Sequence, residues 1–176
     1  PAGPTTVSVL DASTLQVVRT VELSGRNGAA GSVGPDGLVY IIQSGSFGAG
    51  DGSLSVLDPA SGAEVDFVPE FGNFPGSVAV DEDRRVYVGA FGVGLLVWDA
   101  ATGTFVQGPE NPAAPGGVES TSGVALDARG RLYTLTPDCQ EPAVANRLNA
   151  DLSLDRTIPV GICPFGIDFT QAPVTP

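Results

Sequence analysis

A short phrase of sequence comes round four times in this chain, and its period limits the folds open to it. VSVLD ends at Asp11, LSVLD at Asp58, LLVWD at Asp99 and the degenerate ANRLN at Asn149, so the anchor returns every 41 to 50 residues. A period of that size belongs to repeat architectures in which each unit holds about four short strands and buries its apolar faces against its neighbours. Propeller blades have this spacing. A second anchor runs in phase with the first: VGPDGLVY ends at Tyr40, VDEDRRVY at Tyr87 and LDARGRLY at Tyr133, 46 or 47 residues apart. Each copy is an alternating strand, a polar turn and a second alternating strand, the pattern of a hairpin with one face on a core.

Laid on the two anchors, the repeat resolves into strands. In its clearest copy the inner strand a covers residues 76–81, strand b 85–90, strand c 95–99 and the outer strand d 104–107. The chain opens on strands c and d at 7–11 and 15–23, passes through three full blades and closes on a lone strand a at 165–169, fifteen strands in all. The expectation is an all-β propeller of four-stranded antiparallel blades, in one domain over residues 1–176. Its blades fall at 5–24, 29–69, 75–108, 121–160 and 164–170. Joining the end to the start would give a fourth blade lacking strand b. Residues 171–176 supply no candidate for it, because their two prolines cannot donate to a ladder. The reading is therefore about four repeats of a larger, seven- or eight-bladed ring. After each well-preserved strand c, Asp11, Asp58 or Asp99 opens a turn whose backbone its carboxylate can accept from, which makes these aspartates structural.

The stretches FPGSVAVDEDRRVYV from Phe74, CPFGIDF from Cys163 and the VSVLD copies resemble the bacterial YVTN-repeat, or YncE-like, β-propellers. That family's repeat runs from a Pro-Gly-Val-Ala-Val hairpin through Val-Tyr-Val to Val-Ser-Val-Ile-Asp. The resemblance covers nearly the whole chain and implies blades, a common ring size of seven and an exported protein. Its motifs specify architecture and no reaction. An exported location, periplasmic or extracellular in the cell envelope, implies a leader upstream, and Pro1 in a chain without methionine is no initiator.

Charge and composition narrow the partners. A net charge of −12, from 20 acidic residues against eight arginines and no lysine, repels phosphate backbones and anionic lipid. Nucleic acid is excluded as a partner on this ground. No apolar run approaches the roughly 18 residues of a membrane span, so no direct bilayer insertion is expected. A basic protein, a cation or a neutral ligand fits better.

Loop length points to the site. The a–b and c–d turns are short in every repeat, so one face of the disc is trimmed flat. The b–c and d–a connections emerge on the other face, where 44–53, 70–74, 107–121 and 137–144 are irregular and rich in glycine and proline. Binding residues collect on loops held by a rigid scaffold. Phe47, Phe71 and Phe74 fall there, and beside Asp51, Glu70 and Glu110 they would form an apolar patch with an acidic rim. Phe47, Phe71, Phe74, Glu110 and Asn111 are the candidate protein-contact residues; the alternative is that the phenylalanines fold inward as loop plugs. Tyr40, Tyr87, Tyr133 and Trp98 repeat in register on strands and are assigned to packing between blades.

Cys139 and Cys163 map to the same face, and an even count in an exported chain favours a disulfide between them. The alternative is two free thiols or a metal pair, although no histidine exists to complete a zinc set. The same lack removes the usual general base and every Ser-His or Cys-His arrangement. No nucleophile elbow, phosphate loop or dinucleotide fingerprint is present. Loop 44–53 has the oxygens of a calcium loop but one aspartate, too few for a site of six to eight oxygen ligands. The expectation is a non-enzymatic binding or scaffolding module with no cofactor and no metal. It would dock on a protein partner as an accessory subunit of a membrane-associated envelope complex. The alternative is a metal-dependent, lactonase-like hydrolase or a small-ligand-binding propeller.

Overall fold

The computed structural model describes residues 3–117 and 119–169. The first blade is a hairpin of β1 (Pro4–Leu10) and β2 (Val17–Arg26). The second holds β3 (Gly28–Val33), β4 (Val39–Gln43), β5 (Gly52–Asp58) and β6 (Ala63–Gly72). The third holds β7 (Pro75–Val80), β8 (Arg85–Ala90), β9 (Gly94–Asp99) and β10 (Thr104–Gln107). The fourth holds β11 (Gly123–Leu126), β12 (Leu132–Thr136), β13 (Val144–Leu148) and β14 (Leu154–Pro159). Every pair within a blade is antiparallel and sequential. Strands b and d of the clearest repeat lie where the sequence places them.

Burial explains the sequence pattern of each position in a blade. β5, β8 and β9 are buried on both faces because blades stack on either side of them; β8 and β9 read as nearly continuous apolar runs, whereas β5 also buries Ser53 and Ser55, which donate to Gln43. The outer β2, β10 and β14 are largely exposed. Three apolar clusters are the seams between blades. Leu23 meets Ile41 and Leu57 between the first and second, Tyr40, Ile42 and Phe71 meet Val86, Val88 and Trp98 between the second and third, and Tyr87 and Val97 meet Val124 and Leu132 between the third and fourth. Among the described residues no such cluster joins the fourth blade to the first.

The two sequence anchors are two hydrogen-bonded devices. Asp11 Oδ1 accepts from the N–H groups of Ser13 and Thr14 at 2.9 and 2.8 Å, and Asp58 and Asp99 serve their turns in the same way. The Ser13 hydroxyl and the Thr14 backbone hold the Asp11 carboxyl down at about 2. In the degenerate fourth copy Asp151 takes over, accepting from Ser153. In the second anchor a strand-b tyrosine donates to the aspartate of its own hairpin turn: Tyr40 to Asp36 at 2.9 Å, Tyr87 to Asp81 at 2.9 Å and Tyr133 to Asp127 at 3.3 Å. Burial, with the Asp81 carboxylate adding to it, pushes the Tyr87 hydroxyl up to about 12. Tyr87→Phe is expected to cost about 1.5–3 kcal/mol, the worth of a bond to a charged acceptor, read as a lower urea midpoint at unchanged slope. An unchanged midpoint would show that the bond does not contribute.

One expected strand is corrected. Residues 165–169 form no ladder, because no strand b lies beside them among the described residues. The segment still occupies the place of an inner strand. Ile167 lies against Gly123 of β11, Phe169 packs on Tyr133 at 4.7 Å, and Tyr133 and Leu135 on the far face of the fourth blade are buried. The Cys139–Cys163 disulfide ties down the start of this segment, with a Cα–Cα distance of 4.2 Å.

Candidate functional site: an aromatic mouth at the insertion face

The repeat brings equivalent positions of successive blades round one axis, and at the insertion face several of these rim positions carry a phenylalanine in one blade or another. Ser44 and Phe91 each follow a strand b, while Ala29, Gly76 and Ser122 stand at or beside the start of an inner strand. With Phe74, Pro75, Thr121 and Phe165 they line a hollow of about 350 Å³. Two of the inner strands open into it by the same irregularity. The register shifts between Gly28 and Ala30 in β3 and between Pro75 and Ser77 in β7, which leaves Ala29 and Gly76 unpaired at the rim. Bulges of this kind end pairing and re-aim side chains beside functional sites.

Phe74 sits at the centre of this arrangement in a backbone conformation that phenylalanine disfavours, φ 51°. Asn27 and Cys163, which precede the inner strands or their place in two other crossovers, have φ 52° and 57°. The crossover demands the left-handed conformation. Asparagine tolerates it, whereas a bulky residue there costs about 1–2 kcal/mol. What phenylalanine supplies is a ring in edge contact with Phe47, centroids 4.8 Å apart. The Phe91 N–H donates to the Phe74 carbonyl at 3.1 Å, and the Gly92 N–H to Ser120 Oγ at 3.0 Å, so the loops of the third and fourth blades are tied at the rim. The Ser122 hydroxyl donates to the Pro164 carbonyl at 2.9 Å and fixes Phe165 beside them. Phe47 is 90%, Phe165 77% and Phe91 59% exposed. Large apolar side chains this exposed, on tied loops, form a surface ready to bury against something else.

Among solved structures, the Dos1 propeller aligns with a TM-score of 0.60 at 12% identity, over 89% of this chain and 42% of that one. The fold is a β-propeller. The chain spans less than half the length of that structure. No family model and no curated protein matches the sequence.

The propeller divides the five residues singled out from sequence among three places. Phe47 and Phe74 come together at the mouth. Phe71 is a correction: it is fully buried, in edge contact with Phe105 at 4.9 Å, and belongs to the seam between the second and third blades. Glu110 and Asn111 are exposed in a separate hollow of about 510 Å³ further out, which Glu70 and Gly50 also line. Asn111 Oδ1 there accepts from the Gly108 N–H at 3.0 Å and shapes its own turn. Asp51 is likewise engaged, its carboxylate accepting from the Ser46 N–H at 2.6 Å across the loop.

Sequence reasoning missed Phe91 and Phe165. Phe91 follows a strand b and is equivalent to Ser44, and Phe165 follows the proline that matches Pro75. The available signal was repeat phase, since both stand at rim positions by analogy with Phe74 and Ser44.

Proposed function

We propose that this chain is part of an exported, non-enzymatic β-propeller of the YVTN-repeat kind that docks a protein partner through its aromatic mouth, as a scaffold or accessory subunit of an envelope assembly. The observation that carries the reading is the cluster of Phe47, Phe74, Phe91 and Phe165 on tied loops, with Phe47, Phe91 and Phe165 largely in water and Phe74 half-buried against Phe47. Aromatic anchors of this kind supply most of the energy of protein interfaces. Among the described residues no apolar cluster joins the fourth blade to the first, which supports an open arc of a larger ring. A disulfide is compatible with an oxidising, exported location. Among the described residues no helix is long and apolar enough to cross a membrane. The net charge of −12 favours a partner whose contact surface is apolar at its centre and basic around it.

The test is capture of the partner from the native envelope followed by titration of purified components. Phe74→Ala and Phe91→Ala are each expected to weaken the complex by about 1–3 kcal/mol, and Asp83→Ala on the opposite face to leave it within about 0.5 kcal/mol. A partner seated on the outer strands or the opposite face would overturn the assignment. So would turnover of a lactone by the isolated protein with added divalent metal.

A further inference from the structure

We propose that the groove between the third and fourth blades, on the face of the short hairpin turns, binds a small polyvalent oxyanion. Half of the chain's arginines meet there. Arg85, Arg129, Arg131 and Arg147, four of eight, line one hollow of about 500 Å³ in a protein whose net charge is −12.

The carboxylates that accompany them have their oxygens committed within the fold. Asp81 accepts from the N–H groups of Asp83 and Arg85 at 3.0 and 2.8 Å and from the Tyr87 hydroxyl. Asp127, beneath the fourth blade's hairpin turn, accepts from the backbone of Arg129 and Arg131 and from Arg131 Nε at 2.7 Å. Asp155 is paired with Arg147. These bonds aim two guanidinium groups into the groove and leave each with unused donors. Arg85 and Arg129 are exposed and make no ion pair among the described residues. Each guanidinium carries five N–H donors in a planar fork and no acceptor. The groove therefore holds a surplus of charged donors over free acceptors. The exceptions are Asp83, an exposed carboxylate with no hydrogen bond to its oxygens among the described residues, and Asp155 Oδ1, since Arg147 engages only Oδ2.

A surplus of forked cationic donors matches the planar or tetrahedral oxygens of a carboxylate or phosphate. The acidic surface around the groove repels a long polyanion, so the ligand is compact. A phosphate-bearing and a carboxylate-bearing ligand share this chemistry, and two probes separate them.

The experiment follows backbone amide signals of the protein while inorganic phosphate or citrate is added at constant ionic strength. Expected are saturable shifts at millimolar ligand, confined to the turns of the third and fourth blades. Arg85→Ala and Arg129→Ala should each weaken binding about tenfold, as loss of a charge-assisted bond does. Asp83→Asn should tighten it, and Arg26→Ala on the opposite face should leave it unchanged. Tighter phosphate identifies a phosphate ligand and tighter citrate a carboxylate ligand, and either supports the site. Linear, unsaturable shifts with both probes would overturn it, as would binding that survives the Arg85→Ala/Arg129→Ala pair or ignores Asp83→Asn. Neither arginine is part of a seam, so the variants remain folded, and an unchanged melting curve checks it.

Discussion

Phe71→Ala is expected to lower the free energy of unfolding by about 3–5 kcal/mol, the range for truncating a fully buried phenylalanine. The ring has no exposed surface and meets Phe105 edge to face, between the sheets of the second and third blades. Deleting it removes buried apolar area and leaves a cavity that two rigid sheets close only in part. The measurement is a urea titration of variant and parent, in which the midpoint falls at unchanged slope. A contact residue would behave in the opposite way, losing partner affinity while keeping the midpoint. A Phe71→Ala protein as stable as its parent would remove Phe71 from the core and restore it to the interaction surface.

The reason Phe71 could not be placed from sequence lies in the ladder beside it. Leu54 pairs with Val68 and Gly52 with Gly72, so β6 carries two more residues than β5 across the same stretch. Glu70, with φ 70°, turns the chain within that insertion. Alternation tells in from out only while the register is unbroken. Within that two-residue insertion the chain leaves the ladder, so alternation does not report which way Phe71 points, and a phenylalanine next to a glutamate in a proline- and glycine-rich run looks like a loop residue.

The repeated turns were legible for a different physical reason. The Asp-led turns and the Asp–Tyr hairpins recur because each blade must satisfy the same backbone groups at the same corners, and that need imprints a period on the chain. The aromatic mouth was legible in half. Phe47 and Phe74 stand out as loop aromatics, whereas Phe91 follows a strand so closely that it reads as its last residue. Phe165 lies in a segment whose composition is that of an inner strand. Such a segment needs a hydrogen-bonding neighbour to become one, and composition cannot report whether the neighbour is there. The arginine groove left no linear signal, since its residues come from two blades about 45 residues apart, the repeat period.

Removing the disulfide by Cys139→Ser with Cys163→Ser is expected to cost about 3–4 kcal/mol, the chain-entropy value for a loop of this size. The separation is 24 residues and both half-cystines lie at the insertion end of the fourth blade. The bond also holds the start of the segment that covers Tyr133 and Leu135, and through it Phe165 at the mouth. Its loss should therefore act locally before it acts globally. Hydrogen exchange should quicken in β11 and β12, whose far face the segment protects, while amides of β4, β5, β8 and β9 keep their protection. Partner affinity should fall as well, by less than in Phe74→Ala, because Phe47, Phe74 and Phe91 remain tied to one another. Equal urea midpoints for the bonded and the serine-substituted protein would show that the segment docks unaided. Uniform loss of protection across all blades would show that the fourth blade is not an independent unit of stability.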